Sequence, residues 1–454
     1  MERPVKGKKP PFRLAPTQSI ALIFALIILV GSILLSLPIA SRSGVSCGFR
    51  PALFTATSAT CVTGLVLFDT WTQWSAFGQV VILCMIEIGG LGFMAMASLV
   101  IFALKRKVGL RQRMLMAQAW SVEDMEGVVR LQKWVLFGSL TVQFVGALVL
   151  FLRFLPNYGF SKAMWWGIFH AVSAFCNAGF DVTGSIAPGA NMIVFNQDPV
   201  VCITLMALIV IGGLGFFVWQ EVVTLHKFRK FSVYTKLVLL ATAGLLVFGG
   251  VLFCILEWNN PGTLGYMDTP HKILNGFFQS VTVRTAGFTS VDQAGLTDAG
   301  KALSVIFMLI GGASGSTAGG MKVVTFVALV LFLVSRARGK NTVTVFKRNV
   351  PHEKIMDAAT IAGLMVGLAF LGAVVIVATS PVAFIDALFE TVSALATVGL
   401  TAGATTSLSL AAQWMIILFM YFGRVGILTL SLGFLMGDKA ENRLRYADTN
   451  LLIG

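Results

Sequence analysis

The sequence predicts an all-α polytopic membrane protein built from four membrane-pore-membrane repeats, with eight transmembrane helices and four re-entrant helices in pseudo-fourfold arrangement. Three observations predict it. The 454 residues are 56% hydrophobic and only 12% charged, against roughly 25% charged residues in an ordinary soluble domain. Apolar stretches of about 20 residues, the length that crosses a bilayer, recur from segment 19–40 to segment 412–436. A short glycine-terminated segment returns four times along the chain. No charged stretch between the spans is long enough for a soluble domain, so a soluble enzyme is excluded.

The first span follows the basic start MERPVKGKKPPFR. Its apolar run of about 22 residues exceeds the roughly 7 to 15 of a signal-peptide core, so it is expected to be retained. Of 34 Lys and Arg, five lie at the N-terminus, seven in 105–133, four in 227–236, six in 336–354 and three after 438. These are every second loop. The positive-inside rule then places both termini in the cytoplasm with an even number of crossings. The net charge of +14 is mostly on that side. The runs KRK at 105–107 and RARGK at 336–340 flank apolar spans, where topology and anionic lipid account for them without nucleic acid. The opposite loops carry Asp69, Asp181, Asp198, Glu257, Asp268, Asp292, Asp298, Asp386 and Glu390. Together they would focus cations at the outer face, although each alone reads equally well as solvated loop charge. The six cysteines form no CxxC pair and read as packing residues.

The short segments are PALFTATSATCVTGL at 51–65, WWGIFHAVSAFCNAGFD at 165–181, ILNGFFQSVTVRTAGFTS at 273–290 and AFIDALFETVSALATVGLTAG at 383–403. They close on Gly64, Gly179, Gly287 and Gly399, at steps of 115, 108 and 112 residues. Near-constant steps along a whole chain mark internal duplication. The expected repeats are 1–115, 116–230, 231–345 and 346–438, followed by a cytoplasmic tail at 439–454. Each short segment offers about 12 helical residues, too few to cross roughly 30 Å of hydrocarbon. It must enter and return, and non-helical backbone at that depth is tolerated only where protein buries it or water bathes it. Four such returns about one axis make a pore, whose carbonyls can replace the hydration shell of a cation.

Four glycines in register, each after an amphipathic re-entrant helix and before a glycine-rich span, resemble the Trk/Ktr/HKT superfamily of potassium transporters. The likeness covers nearly the whole chain, and the absence of two extra spans before segment 19 makes it look like the Ktr type of ion-translocating subunit. The resemblance implies passive potassium uptake through a filter of Val62, Thr63 and Gly64, then Asn177, Ala178 and Gly179, then Thr285, Ala286 and Gly287, then Thr397, Val398 and Gly399. Glycine rather than serine at position 64 goes with potassium. Asn177 and Arg284 depart from a symmetric pattern, and Arg284 is expected to anchor the filter from behind.

The second span of the third repeat contains GGASGSTAGG, from Gly311 to Gly320. Each glycine costs about 1 kcal/mol relative to alanine in a helix, so this span should break into a loop below the filter; close helix packing by small residues is the plainer alternative. The resemblance implies an intramembrane gate here, involving Gly311, Gly312, Ser314, Gly315, Gly319 and Gly320. Arg424, 12 residues from either end of segment 412–436, should need a buried partner, which the family supplies from the gating loop. Glu87 aligns three residues before Arg424 in the repeat register, and the two are expected to share a buried polar network.

GASG at Gly312–Gly315 also matches an intramembrane serine protease motif, but that chemistry needs a histidine facing Ser314. Only His170 lies in an apolar segment. A secondary transporter with a midplane site between broken helices is the other rival, and it leaves four equivalent returns unexplained. No enzyme chemistry and no covalently bound cofactor are expected. The chain has neither a P-loop nor a strand-linked GxGxxG, so regulation should come from outside. The resemblance implies a cytoplasmic ring of RCK-type nucleotide-binding subunits, a homodimer of pore subunits, potassium as the transported ion, sodium as a candidate activator, and a bacterial cell membrane with its lipids as the location.

Overall fold

The computed structural model describes residues 16–92 and 128–426. The basic N-terminus, the basic loop at 105–113 and the tail at 439–454 lie outside the described residues. Within them, one order of elements occurs four times. A long helix opens each set: α1 (Pro16–Ser36), α5 (Val128–Tyr158), α9 (Val233–Glu257) and α13 (His352–Thr379). All four hold a stretch long and apolar enough to cross a bilayer. Their outer faces show Leu26, Phe144, Phe248 and Phe370 at 58, 68, 59 and 51% exposure, an arrangement that hydrocarbon tolerates and water does not. Ser32 and Ser139 return their hydroxyls to the Ile28 and Val135 carbonyls one turn back, both at 2.6 Å, which satisfies them without solvent.

A short helix follows each long one: α2 (Phe49–Thr60), α6 (Phe160–Phe175), α10 (Thr269–Thr282) and α14 (Phe384–Leu395). Their 12 to 16 residues give about 18 to 24 Å at 1.5 Å per residue. Each packs against the long helix before it and ends at the molecular centre, as expected for a segment that enters and returns.

The third helix of each set is α4 (Ala76–Leu91), which follows the single turn α3 (Thr70–Gln73), then α7 (Pro199–Gly213), α11 (Asp298–Leu309) and α15 (Leu410–Val425). One device starts all four. Ser75, Asp198, Thr297 and Ser409 accept from the Gly78, Val200, Gly300 and Ala412 amides at 3.3, 3.1, 3.0 and 3.2 Å, satisfying donors that a helix N-terminus leaves open. Each third helix then packs against the short helix of the next set: α4 on α6, α7 on α10, α11 on α14, and α15 back on α2. The ring closes, making the first and last sets neighbours.

Of the eight expected spans, the continuations of the third helices of the first and fourth sets lie outside the described residues. Four helices among the described residues meet the span criterion, or five if α7 is counted with α8 (Phe216–Leu225), to which it joins at 96°. A break was expected in the third repeat alone. Instead the helix also stops at the matching glycine elsewhere, with Gly92, Gly215 and Gly426 at φ of 83, 87 and 97°, a conformation glycine adopts without steric penalty. Arg424 sits in the last turn of α15. After the third break the chain resumes as α12 (Val323–Ala337), then makes a hairpin of β1 (Thr344–Val345) and β2 (Arg348–Asn349).

Candidate functional site

The four short helices deliver their closing glycines to one ring. A Cβ at Gly64 would fall 2.5 Å from the Ala178 carbonyl oxygen, one at Gly179 2.9 Å from that of Ala286, one at Gly287 2.6 Å from that of Val398, and one at Gly399 1.9 Å from that of Thr63. The pattern runs round the sets and closes. Every glycine also has positive φ, at 100, 70, 79 and 91°, so a side chain at any of them would meet both strain and collision. The twelve residues singled out by the sequence are therefore brought together.

Two positions before each glycine lies a second, unforeseen outlier. Val62, Asn177, Thr285 and Thr397 have φ of 55, 59, 65 and 52°, a region that asparagine tolerates and that strains the β-branched residues. Thr63, Ala178, Ala286 and Val398 between them are not among the positive-φ residues. Alternating the sign of φ turns successive carbonyls to one side of the strand and successive amides to the other. The amides go to the short helices: Thr63, Ala178 and Val398 donate to the Ser58, Ser173 and Ser393 carbonyls at 2.8, 2.7 and 2.7 Å, and Ala286 to that of Thr282 at 3.0 Å. The Gly64 and Gly399 amides take the Ser58 and Ser393 hydroxyls at 3.0 and 3.1 Å. In the other two sets the hydroxyl grips the far side of the glycine, Ser173 donating to the Phe180 carbonyl at 2.8 Å and Thr282 to that of Phe288 at 2.5 Å. A Ser-Ala pair precedes Gly64, Gly179 and Gly399 by six residues, which is the signal that could have found three of these hydroxyls; in the third set Thr282, five residues before Gly287, takes the role.

The Thr63, Thr285 and Thr397 hydroxyls are buried and have no protein partner among the described residues. The ring thus offers neutral oxygens on a carbonyl-rich axis, together with the negative dipole ends of four helices. This donor set suits a hard monovalent cation. Among the described residues no group of three or more His, Cys, Asp or Glu could hold a metal ion.

Below the ring, residues 311–320 form the predicted non-helical loop between α11 and α12. It is held by backbone. Gly311 donates to the Met321 carbonyl at 2.8 Å and Val323 to that of Gly312 at 2.9 Å. The bend of the second set supplies the rest: Ala313 and Thr317 donate to the Gly213 and Gly212 carbonyls at 3.0 and 3.3 Å, and Phe216 donates to that of Gly315 at 3.0 Å. Thr317 also donates its hydroxyl to the Phe175 carbonyl at 3.1 Å. A Cβ on Gly319 would collide with the Thr397 hydroxyl, 1.9 Å away, so the loop lies directly under the fourth strand of the ring. Ser314 accepts from the Tyr234 hydroxyl at its carbonyl, 2.9 Å. His170 instead takes the Val182 amide at 3.3 Å, and no bond joins it to Ser314, so the protease constellation is not assembled.

Arg424 donates through Nη1 to the Thr317 carbonyl and through Nη2 to the Gly89 and Gly90 carbonyls, the last at 3.1 Å. It therefore ties the loop to the first set. The expected Glu87 partnership is not a bond: Glu87 accepts from Gln143 Nε2 at 3.0 and 3.2 Å and from the Cys176 thiol at 3.4 Å, and reaches Arg424 only through the Gly89–Gly90 backbone it precedes. Arg284 also departs from expectation. Its guanidinium donates to the Gly311 carbonyl at 3.2 Å, anchoring the start of the loop rather than the filter.

The outer acidic residues serve mainly as fasteners. Arg153 pairs with Asp198 at 2.8 Å and Lys301 with Asp386 at 2.7 Å. Glu257 accepts from Asn260, Thr263 and Thr297 at 2.6, 2.8 and 2.6 Å. Glu390 accepts from the Thr401 and Thr405 hydroxyls and the Ala402 amide, and so fixes the strand that leaves Gly399. Much of the charge read as an attractive outer field is thus spent inside the structure.

Four apolar long helices in a repeated helix order, closed around a central ring of carbonyls, define a multi-pass membrane architecture, and the family to which the chain belongs supplies its class. The profile of the TrkH family, described as cation transport protein, matches residues 10–443. The chain is 39% identical to the potassium/sodium uptake protein NtpJ of Enterococcus hirae, over 99% of this chain and 100% of that one. It is 38% identical to the Ktr system potassium uptake protein B of Bacillus subtilis, over 97% of each, and 35% identical to the protein of that name from Vibrio alginolyticus, over 99% and 97%. The solved structure of the potassium transporter TrkH from Vibrio parahaemolyticus superposes with a TM-score of 0.74 at 18% identity, covering 95% of this chain and 87% of that one. This chain belongs to the TrkH/Ktr family of cation transport proteins, a family of ion transporters and not of enzymes.

Proposed function

We propose that the chain is a potassium uptake subunit of the Ktr type, conducting the ion passively through four repeats bounded at about residues 115, 230 and 345. The observation that carries this reading is the cyclic seating of Gly64, Gly179, Gly287 and Gly399, each against the carbonyl of the next strand. The ion loses its water to the carbonyls of Val62, Thr63 and Gly64 and their counterparts in the other three strands, and the helix dipoles and threonine oxygens support it there. The loop at 311–320, held by Arg424, obstructs the path on the cytoplasmic side. The names of the relatives, which speak of potassium, of potassium and sodium, and of a Ktr system, support the cargo and a multi-component assembly.

With it come a homodimer in lipid, a cytoplasmic RCK-type nucleotide-binding partner, sodium as activator, no covalent cofactor, and a bacterial cell membrane with both termini inside. Potassium uptake by cells lacking their own high-affinity systems tests the reading, with the regulatory partner supplied. The wild-type chain should restore growth at low potassium, and Gly64→Ser should weaken rescue and admit sodium. Inserted protein that gives no rescue, or saturable flux without ohmic current, would move the assignment to a carrier with a midplane site.

A further inference from the structure

The outermost carbonyls of the ring are not equivalent. Among the described residues the Gly64, Gly287 and Gly399 carbonyls accept no hydrogen bond, whereas that of Gly179 accepts from Asn191 Nδ2 at 3.3 Å. Asn191 opens the 3-10 turn Asn191–Phe195 in the outer loop of the second set, with left-handed φ of 50°. Its Oδ1 takes the Met192 amide at 2.7 Å and, across the mouth, the Thr289 amide of the third set at 3.3 Å. The orientation of the amide follows from its neighbours, two N–H groups at one end and a carbonyl at the other. The single Thr183 hydroxyl proton is shared between the Asp181 carboxylate at 2.5 Å and the Asn191 carbonyl at 3.0 Å, so the residue is held at backbone as well as side chain.

We propose that Asn191 is a specificity-determining residue, restraining the Gly179 carbonyl so that the outer end of the ring cannot contract around a small cation. The inference rests on the filter reading above. A carbonyl already accepting an N–H has a weaker field for an ion and less freedom to tilt. Selection between potassium and sodium depends on how closely, and with what field, the carbonyls approach. Three free carbonyls and one tethered one favour the larger, less strongly hydrated ion. The splint to Thr289 holds the second and third strands at a set separation.

The test uses the full-length protein reconstituted in liposomes, with potassium and sodium fluxes measured for wild type, Asn191→Ala, Asn191→Asp and Gly64→Ser. Asn191→Asp keeps an acceptor for the Thr289 and Met192 amides while removing the donor to Gly179, and its added charge should raise entry of both ions. The expected result is a fall in potassium-over-sodium discrimination of roughly three- to tenfold in both Asn191 variants, the scale of one neutral hydrogen bond, with melting temperature nearly unchanged in Asn191→Asp. Unchanged discrimination in the Asn191 variants beside altered discrimination in Gly64→Ser would overturn this proposal and leave the filter reading standing. Unchanged discrimination in all three would overturn both. Equal loss of both fluxes with a lower melting temperature would reduce Asn191 to a structural tie and likewise reject the proposal.

Discussion

Gly423 of α15 lies so close under Leu395 of α14 that a Cβ on it would stand 2.2 Å from the Leu395 carbonyl oxygen. The same seat recurs at Gly89 under Thr60 and at Gly212 under Phe175, both at 2.0 Å, each carbonyl lying four residues before its ring glycine. In the third set the seat is rebuilt, Gly311 facing Gly319 of the loop at 2.1 Å. Contact with main chain cannot relax by a rotamer change, so overpacking should cost about 1 to 3 kcal/mol at each position. Gly423→Ala and Gly212→Ala are expected to lower the melting temperature of the purified protein and to reduce uptake, whereas Gly363→Ala, which meets nothing within 4 Å, should leave both unchanged. Equal effects at all three positions would count against the seat.

Arg424 supplies donors to three carbonyls contributed by two different sets. Arg424→Gln is too short to serve all of them and would leave buried acceptors unpaired, at about 1 to 3 kcal/mol for each. The loop should loosen more than the ring, because the ring strands have their own bonds to Ser58, Ser173 and Ser393. Potassium leak from liposomes carrying the variant without any regulatory partner is therefore expected to exceed that of wild type, with selectivity retained. A leak no larger than wild type would remove Arg424 from the closing of the path.

His271, in the first turn of α10 at the outer surface, joins Asp268 through Nδ1 and the Gln197 carbonyl through Nε2 at 3.1 Å. Both partners are acceptors, so the imidazolium satisfies them best, and the bond to Asp268 raises the histidine pKa above its ordinary value. The sign follows: the contribution to stability is present below about pH 6.5, the unfolded value, and is lost as pH rises through the raised folded value. Melting temperatures near pH 6 and pH 9 should differ more in wild type than in His271→Gln. The difference should be small, since the site is exposed to solvent screening. An equal difference in both proteins would show that other groups carry the pH dependence.

Periodicity made the plan of the chain legible. The ring glycines could be placed from their spacing because a duplicated segment repeats its backbone demands, and Gly311–Gly320 announced itself by a composition no helix sustains. The helix ends at Gly92, Gly215 and Gly426 were harder to see, because GGLGF and GRVG read equally well as close helix packing, and only the folded backbone shows which glycine takes positive φ. A shared network of Glu87 and Arg424 was read from register, but register does not say that the guanidinium will take three main-chain oxygens. The outer acids misled for a related reason: sequence shows a charge and conceals the amides and hydroxyls that consume it, as at Glu390. Asn191 has no counterpart in the other repeats, so internal comparison could not reveal it.

The 96° bend between α7 and α8 carries one more consequence. The Gly212 carbonyl and the Phe216 amide are four residues apart, the two halves of a single helical hydrogen bond. At the bend they are held apart, and the loop answers each of them, Thr317 at one and Gly315 at the other. In hydrocarbon an unpaired main-chain group is costly, which would ordinarily lock such a loop in place. Here the two groups released by a departing loop are complementary to each other, so straightening of the second set would cancel the debt that withdrawal creates. The bend thereby acts as a place-holder, storing the bonds of an unbroken helix in the form of a bound loop.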